Sequence, residues 1–319
     1  MDRFGSGVCL SYQNLCRNLK LGDGVTIGDD VVFRGGLIEL GDHCTVEDGV
    51  LVDVVDRLCV GSRGFIGRGS KIMGRNVELG PDFWGTGFTI GGGSCFETRA
   101  IFSCGRFCHL GEQSFINIAR EVRLGHEVGL GMETKIFTHG AYLSAFDGFP
   151  VSFAPVTVGD RVWIPNATVL PGVRIGSDVV VAAGSLVNSS LPDGVLAGGV
   201  PARVIQVHAY PRVLTLPEQK LWLDFFVDDL LVNTGFGSKL SIRNRSDNRV
   251  VFSADGRELV VDCASSNHEV RPGQTVFSIS DRAIFGLCDG SSESLRNILR
   301  RMGVRFWSTG VNGSYVSDL

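Results

Sequence analysis

LGDGVTIGDDVVFRGGLIELGDHCTVEDGVLV (residues 21–52) places a large apolar residue at every sixth or seventh position: Leu21, Ile27, Phe33, Leu40, Val46 and Val52. The beat continues outward through Val60, Ile66 and Ile72, then Ile90, Phe96 and Phe102, then Leu110 and Ile116, then Leu124, Leu130 and Ile136. After a gap it resumes at Val158, Ile164 and Leu170, and it ends at Ile175, Val181 and Val187. Gly follows many of these residues (Gly22, Gly28, Gly41, Gly61, Gly67, Gly111, Gly125, Gly159), and a small residue often falls four positions on, as at Ser70, Ser114, Thr134 and Ser185. A half-buried strand would repeat every two residues and an amphipathic helix every 3.6. A sustained six, grouped in threes with extra residues between groups, predicts a parallel β-helix.

Each hexad is then a short strand and a tight corner, and three corners close one triangular coil. The recurring aliphatic residue points into the prism and stacks on its counterpart one coil later. No coil buries that side chain alone, so stacking supplies the core. Gly beside it is expected to permit a positive φ or a close backbone approach.

Composition narrows the classes of function. The 319-residue chain carries a net charge of −4 without long runs of like charge, which argues against a nucleic-acid footprint. No stretch approaches the roughly 18 uninterrupted apolar residues of a membrane span, and the first residues lack a secretory apolar core. The nine cysteines are scattered without a CxxC pair, which reads as reduced thiols in a cytoplasmic protein.

Along the chain, residues 1–20 read as a lead-in, helical around Ser11 to Lys20. The β-helix is expected over 21–205, with a bulge at 73–89 and a long insertion at 140–157. Residues 206–319 read as an α+β appendage: a helix over Leu216 to Val232, strand-like runs KLSIRN, RVVFSA, ELVVDC and TVFSIS, and a second helix from Ser292 to Met302.

The segments SFINI (114–118), IFTH (136–139), VWIPNATVLPG (162–172) and VAAGS followed by PARVI (181–205) carry the chemical signal. Together they resemble the hexapeptide-repeat O-acyltransferases, among them the maltose and galactoside acetyltransferases and the bacterial polysaccharide O-acetyltransferases. The resemblance implies a left-handed β-helix, a closed homotrimer, and acetyl-CoA as acyl donor with no metal. It implies His139 as the general base: a neutral imidazole takes the proton of a sugar hydroxyl as it attacks a thioester. Asn117 matches the family position that contacts the acceptor. Trp163, Asn166, Ala183 and Gly184 match positions along the pantetheine arm, and Arg203 matches the arginine facing the adenosine phosphates. Glu127 and Glu133 are candidates to orient the imidazole. Phe83, Trp84 and Thr86 could line an acceptor surface.

The sequence departs from the family where a lysine is Ser189, where the second terminal arginine is Gln206, and where WIPNATVLPG is one residue short. His109 and His126, 17 apart, invite a zinc reading, but the five-apart histidine pair of the γ-class carbonic anhydrases is missing. The expected function is O-acetylation of a carbohydrate, in a bacterial surface polysaccharide or its precursor. The alternatives are N-acetylation of an amino-sugar nucleotide and a non-catalytic trimeric scaffold.

Overall fold

A computed structural model describes residues 3–4, 12–233, 235, 237–263, 270–286, 288 and 290–307. The chain divides into two compact units, Met1–Arg212 and Val213–Ser317.

The first unit is a parallel β-helix. One 14-stranded sheet and one ten-stranded sheet contain strands paired in parallel with those one coil away, apart from an antiparallel pair, Leu196–Gly199 with Ala202–Gln206, at the end of the second. The stacking ladder is explicit in the register. Phe33, Val52, Ile72, Ile90, Ile116, Ile136, Val169 and Val187 follow one another rung by rung. All are buried, and each such side chain contributes about 1.5–3 kcal/mol of apolar burial.

Three expectations are corrected. The helix expected around Ser11 to Lys20 is instead the strand Tyr12–Leu21, paired with Val31–Leu40. The next coil offers this segment a full row of backbone partners, and that template overrides local propensity. Residues 73–89 do not interrupt the coil: Lys71–Leu79 and Trp84–Gly85 pair with their neighbours, and the one register shift lies opposite Arg75, with the extra residue on the partner strand between Val54 and Arg57. The beat disappears there because Gly85 holds the inward position, where an added Cβ would lie 2.5 Å from the Phe88 ring and 2.9 Å from that of Phe83. Those two buried phenylalanines fill the missing volume. The real interruption is the run of turns following Gly91, and Phe96 within it is 46% exposed. In the seventh rung of that ladder the inward residue is Val169 and not Leu170, because that hexad is one residue short.

The repeating glycines serve one of their two expected purposes. Gly22, Gly41 and Gly61 do not adopt positive φ; the αL corners fall two residues later, at Gly24, His43 and Arg63. An added Cβ would sit 2.5–2.7 Å from the backbone nitrogen of the next coil, at Asp42, Ser62 and Pro81. Close approach of stacked corners is therefore what excludes a side chain there. Ser70, Ser114 and Ser185 turn their hydroxyls back to the carbonyls of Gly67, Gly111 and Ala182 at 2.7, 2.7 and 2.6 Å. Those bonds satisfy corner backbone groups inside the prism.

The second unit carries helices Leu216–Asn233 and Gly290–Arg301 and a five-stranded sheet. Val250, Phe252, Val261 and Phe277 of the sheet form one apolar cluster with Phe226 and Leu230 of the first helix and Leu295 and Leu299 of the second. The strands are Ser241–Arg245, Arg249–Ala254, Arg257–Asp262, Gln274–Ser278 and Ala283–Gly286. The last of these lacks a sequence signal because it has only four residues. No helix among the described residues is long and apolar enough to cross a membrane.

Candidate active site

His139 lies where the long insertion leaves the prism. Strand Lys135–Ile136 continues the coil, and His139–Gly140 then pairs antiparallel with Ser152–Phe153. Ala154 N–H donates to the Thr138 carbonyl at 3.0 Å, so the two ends of the insertion are fastened together and His139 stands at their base. Its ring stacks on Phe153, with centroids 5.5 Å apart and planes at 22°.

The imidazole is held through Nδ1, 2.7 Å from Asn117 Oδ1. Asn117 occupies the same corner one coil earlier and is 1% exposed. Its amide orientation follows from its other partners. Nδ2 faces the carbonyls of Gly93 at 3.2 Å and Gly91 at 3.4 Å, which can only accept. The N–H groups of Ala119 and Thr138, which can only donate, both face Oδ1 at 3.4 Å. The oxygen therefore points at the ring, so the neutral imidazole carries its proton on Nδ1 and keeps its lone pair on Nε2. The Thr138 hydroxyl, buried at 2.8 Å from the same oxygen, fixes it further.

Nε2 faces Gly93, where an added Cβ would stand 3.4 Å away. Across Phe153 lies the Arg120 guanidinium, 4.7 Å from the ring centroid and 3.7 Å from Glu97. One stack thus runs from the 92–100 turns through Arg120 and Phe153 to His139. Sequence reading missed Gly93, Glu97, Arg120 and Phe153, because they lie on three separate segments and share no spacing.

The expected site residues fall into two groups. His139 and Asn117 are in contact, but the Asn117 amide is spent on backbone carbonyls and on the imidazole, leaving none of it for an acceptor hydroxyl as expected. Glu133 and Glu127 do not hold the ring. Glu133 lies 3.4 Å from Asn166 Nδ2, and Glu127 is an αL corner residue. Phe83 is core, and Trp84 stacks on Phe65 at 4.1 Å, so neither Phe83 nor the stacked face of Trp84 is open to a ligand.

The second group occupies a different corner. Trp163 is 44% exposed and lies over Gly129, where a Cβ would meet its ring at 2.6 Å. Gly184 N–H donates to the Asn166 carbonyl at 2.7 Å, so those two backbone groups are paired with each other and not turned outward. Ala183 is exposed, and Gly184 has φ +74 with open space beside it. Arg203 gives one guanidinium nitrogen to the Ala202 carbonyl at 2.8 Å and is otherwise exposed. His109 and His126 do not meet: His109 pairs with Trp84 and Gly129, while His126 Nδ1 accepts from Arg106 N–H at 3.0 Å. No group of three metal-binding side chains occurs among the described residues.

Residues 155–189 match the family of bacterial transferase hexapeptide proteins (six repeats). Galactoside O-acetyltransferase of Escherichia coli K12 is 34% identical over 130 residues, 37% of this chain and 63% of that protein. WbbJ of the same organism, whose name gives it as a lipopolysaccharide-biosynthesis O-acetyl transferase, is 44% identical over 68 residues, 21% of this chain and 31% of its own length. A solved structure of the hexapeptide-repeat acetyltransferase VCA0836 of Vibrio cholerae, complexed with acetyl coenzyme A, is 25% identical. That match covers 41% of this chain and 67% of VCA0836, at a TM-score of 0.32. Over these stretches the chain is similar to hexapeptide-repeat acetyltransferases. It spans less than two thirds of these two Escherichia coli relatives.

Proposed function

We propose that the protein is an acetyl-CoA-dependent O-acetyltransferase that acts on a carbohydrate hydroxyl, in a bacterial surface polysaccharide or its precursor. The bond from His139 Nδ1 to Asn117 carries this reading, because it leaves a bare Nε2 lone pair beside the side-chain-free Gly93. That nitrogen takes the proton of an acceptor hydroxyl as the oxygen forms its bond to the thioester carbonyl carbon. As the carbon–sulfur bond breaks, the same nitrogen returns the proton to the departing thiolate. Such assistance typically supplies about 10²–10⁴ in rate. Asn117 acts by positioning the base and does not touch the acceptor.

The residues of the second corner suit an elongated thioester donor. The exposed face of Trp163 can lie along a pantetheine arm, the exposed turn at Ala183 and Gly184 leaves room for it, and the remaining donors of Arg203 suit phosphate. Asn166 shapes that turn through its carbonyl.

The two corners argue for a homotrimer. Glu133, whose carboxylate lies 3.4 Å from Asn166 Nδ2, and His139 are six residues apart along the chain, at most about 20 Å. In the trimer reading, a donor lying along one chain's second corner brings its thioester to the base of a neighbouring copy. The insertion also exposes Leu143, Phe146, Phe149 and Val151, apolar groups that a neighbour would cover. A cytoplasmic setting suits the eight free thiols among the described residues.

The test is a screen of the full chain with labelled acetyl-CoA against glycans and amino-sugar nucleotides. An ester product, cleaved by hydroxylamine, is expected on a glycan. An amide product on the nucleotides, or no transfer, would reject the reading. Sedimentation that found a stable active monomer would reject the shared site.

A further inference from the structure

The second unit contains a cavity of about 330 Å³ with a charge pattern its own packing does not explain. Its size falls at the low end of the range for small-molecule sites, roughly 300–1,000 Å³. Three exposed arginines line it, each from a different segment: Arg243, Arg249 and Arg271. Arg243 sits at the register shift of the edge strand Ser241–Arg245. Arg249 opens the next strand, and Arg271 stands in the turn before Gln274–Ser278. Among the described residues neither the Arg243 nor the Arg271 guanidinium has a carboxylate partner, and Arg249 reaches only Asp262, at 3.8 Å. Like charges gathered this way repel one another, and a bound anion would relieve the repulsion.

The remaining lining chooses among anions. Glu258 is in the same cavity, held by Gln274 Nε2 at 3.0 Å, together with Asn244, Ser246 and the apolar Val251. A carboxylate in the lining opposes a phosphate, which presents negative oxygens on every side. It suits a ligand with an anionic group at one end and hydroxyl donors at the other. Arginine forks match a carboxylate in two parallel bonds. Glu258, Asn244 and Ser246 can meet hydroxyls, and Val251 offers an apolar contact to a ring face.

We propose that this pocket binds a carboxylate-bearing sugar, of the uronate or sialate type, in the polysaccharide whose hydroxyl the first unit acetylates. The inference rests on the acetyltransferase reading and narrows its substrate to acidic glycans. A second foothold on one polymer raises the local concentration of acceptor units without any new contact at His139.

Calorimetric titration of the full chain without acetyl-CoA tests the proposal, using oligogalacturonate, oligosialate, the carboxyl-reduced form of each, and inorganic phosphate. At least one acidic oligomer should bind ten-fold or more tightly than its reduced counterpart, more weakly as salt rises. Arg243→Ala/Arg271→Ala should weaken that binding at least ten-fold while melting as wild type does. If the double variant misfolds, the exposed single change Arg243→Gln should still weaken it several-fold. Glu258→Gln should move preference toward phosphate. Equal affinity for acidic and reduced oligomers, phosphate binding as tightly as the oligomers, no binding at millimolar oligomer, or indifference to the arginine changes would each overturn it. The titration contains no acyl donor and is indifferent to the transferase reading, whose failure would appear only in the separate screen with labelled acetyl-CoA, as an acidic glycan that binds but is not acetylated.

Discussion

The two halves of the β-helix treat the same corner differently. In the earlier coils, Val31–Leu40 and Leu51–Val60 run ten residues each and stay strand through the corner, where the pairing shifts register between Gly35 and Leu37 and between Val54 and Arg57. At Gly35, with φ +121, an added Cβ would stand 1.7 Å from the Val54 carbonyl oxygen, so successive corners touch. In the later coils the strands shorten to two to four residues, and the corner opens twice, at 92–100 and at the 140–157 insertion. Asn117 and His139 stand between those openings. Backbone-to-backbone contact between coils closes a corner; interrupted stacking leaves room for a polar pair on rigid strands.

The contrast can be broken by substitution. His139→Ala, in the open half, should lower acetyl transfer about 10²–10⁴-fold with little change in melting temperature. A comparable loss of both would make the histidine structural. Gly35→Ala, in the closed half, should do the reverse, costing about 3 kcal/mol or more of stability in chemical denaturation, since both the αL-side φ and the backbone contact forbid a methyl. A wild-type denaturation midpoint would refute the close-packed corner. Asn117→Ala should reduce kcat about 10–100-fold, more than it changes KM, by freeing the imidazole to choose its tautomer. A pure rise in KM would return Asn117 to acceptor binding. Gly93→Ala is expected to be milder, roughly ten-fold in rate without a change in melting, because its methyl would touch Nε2 and not backbone.

The smallest effect concerns pH. Burial pushes the Cys44 thiol up to about 11 from an ordinary value of 9.0. A folded-state value raised for an acid means that its contribution is complete below pH 9 and is lost as pH climbs from 9 to 11. Wild type should therefore lose about 1 kcal/mol relative to Cys44→Ala at pH 10, compared with pH 7. Parallel pH profiles of the two proteins would show that the thiol does not couple to folding.

Much of this architecture is legible in the sequence, because stacking requires the same residue class at the same coil position. Ile27, Val46 and Ile66 announce their rungs. Legibility fails where volume is shared between positions, as when Phe83 and Phe88 compensate for Gly85. It fails again where a neighbouring coil dictates strand, as at Tyr12–Leu21. His139 stands out because its segment resembles a known one. The identity of Asn117 is equally visible, but its direction depends on the carbonyls of Gly91 and Gly93, a coil away. The arginine pocket has no one-dimensional signature at all, since its cations come from separate strands.

The most direct test is nitrogen NMR of the full chain with ¹⁵N-labelled histidine, assigning the His139 ring by its loss in His139→Ala. In its neutral form the ring should be protonated at Nδ1 and bare at Nε2, with that preference lost in Asn117→Ala. A neutral His139 ring protonated at Nε2 in the wild-type protein would contradict this, because no lone pair would then face the acceptor.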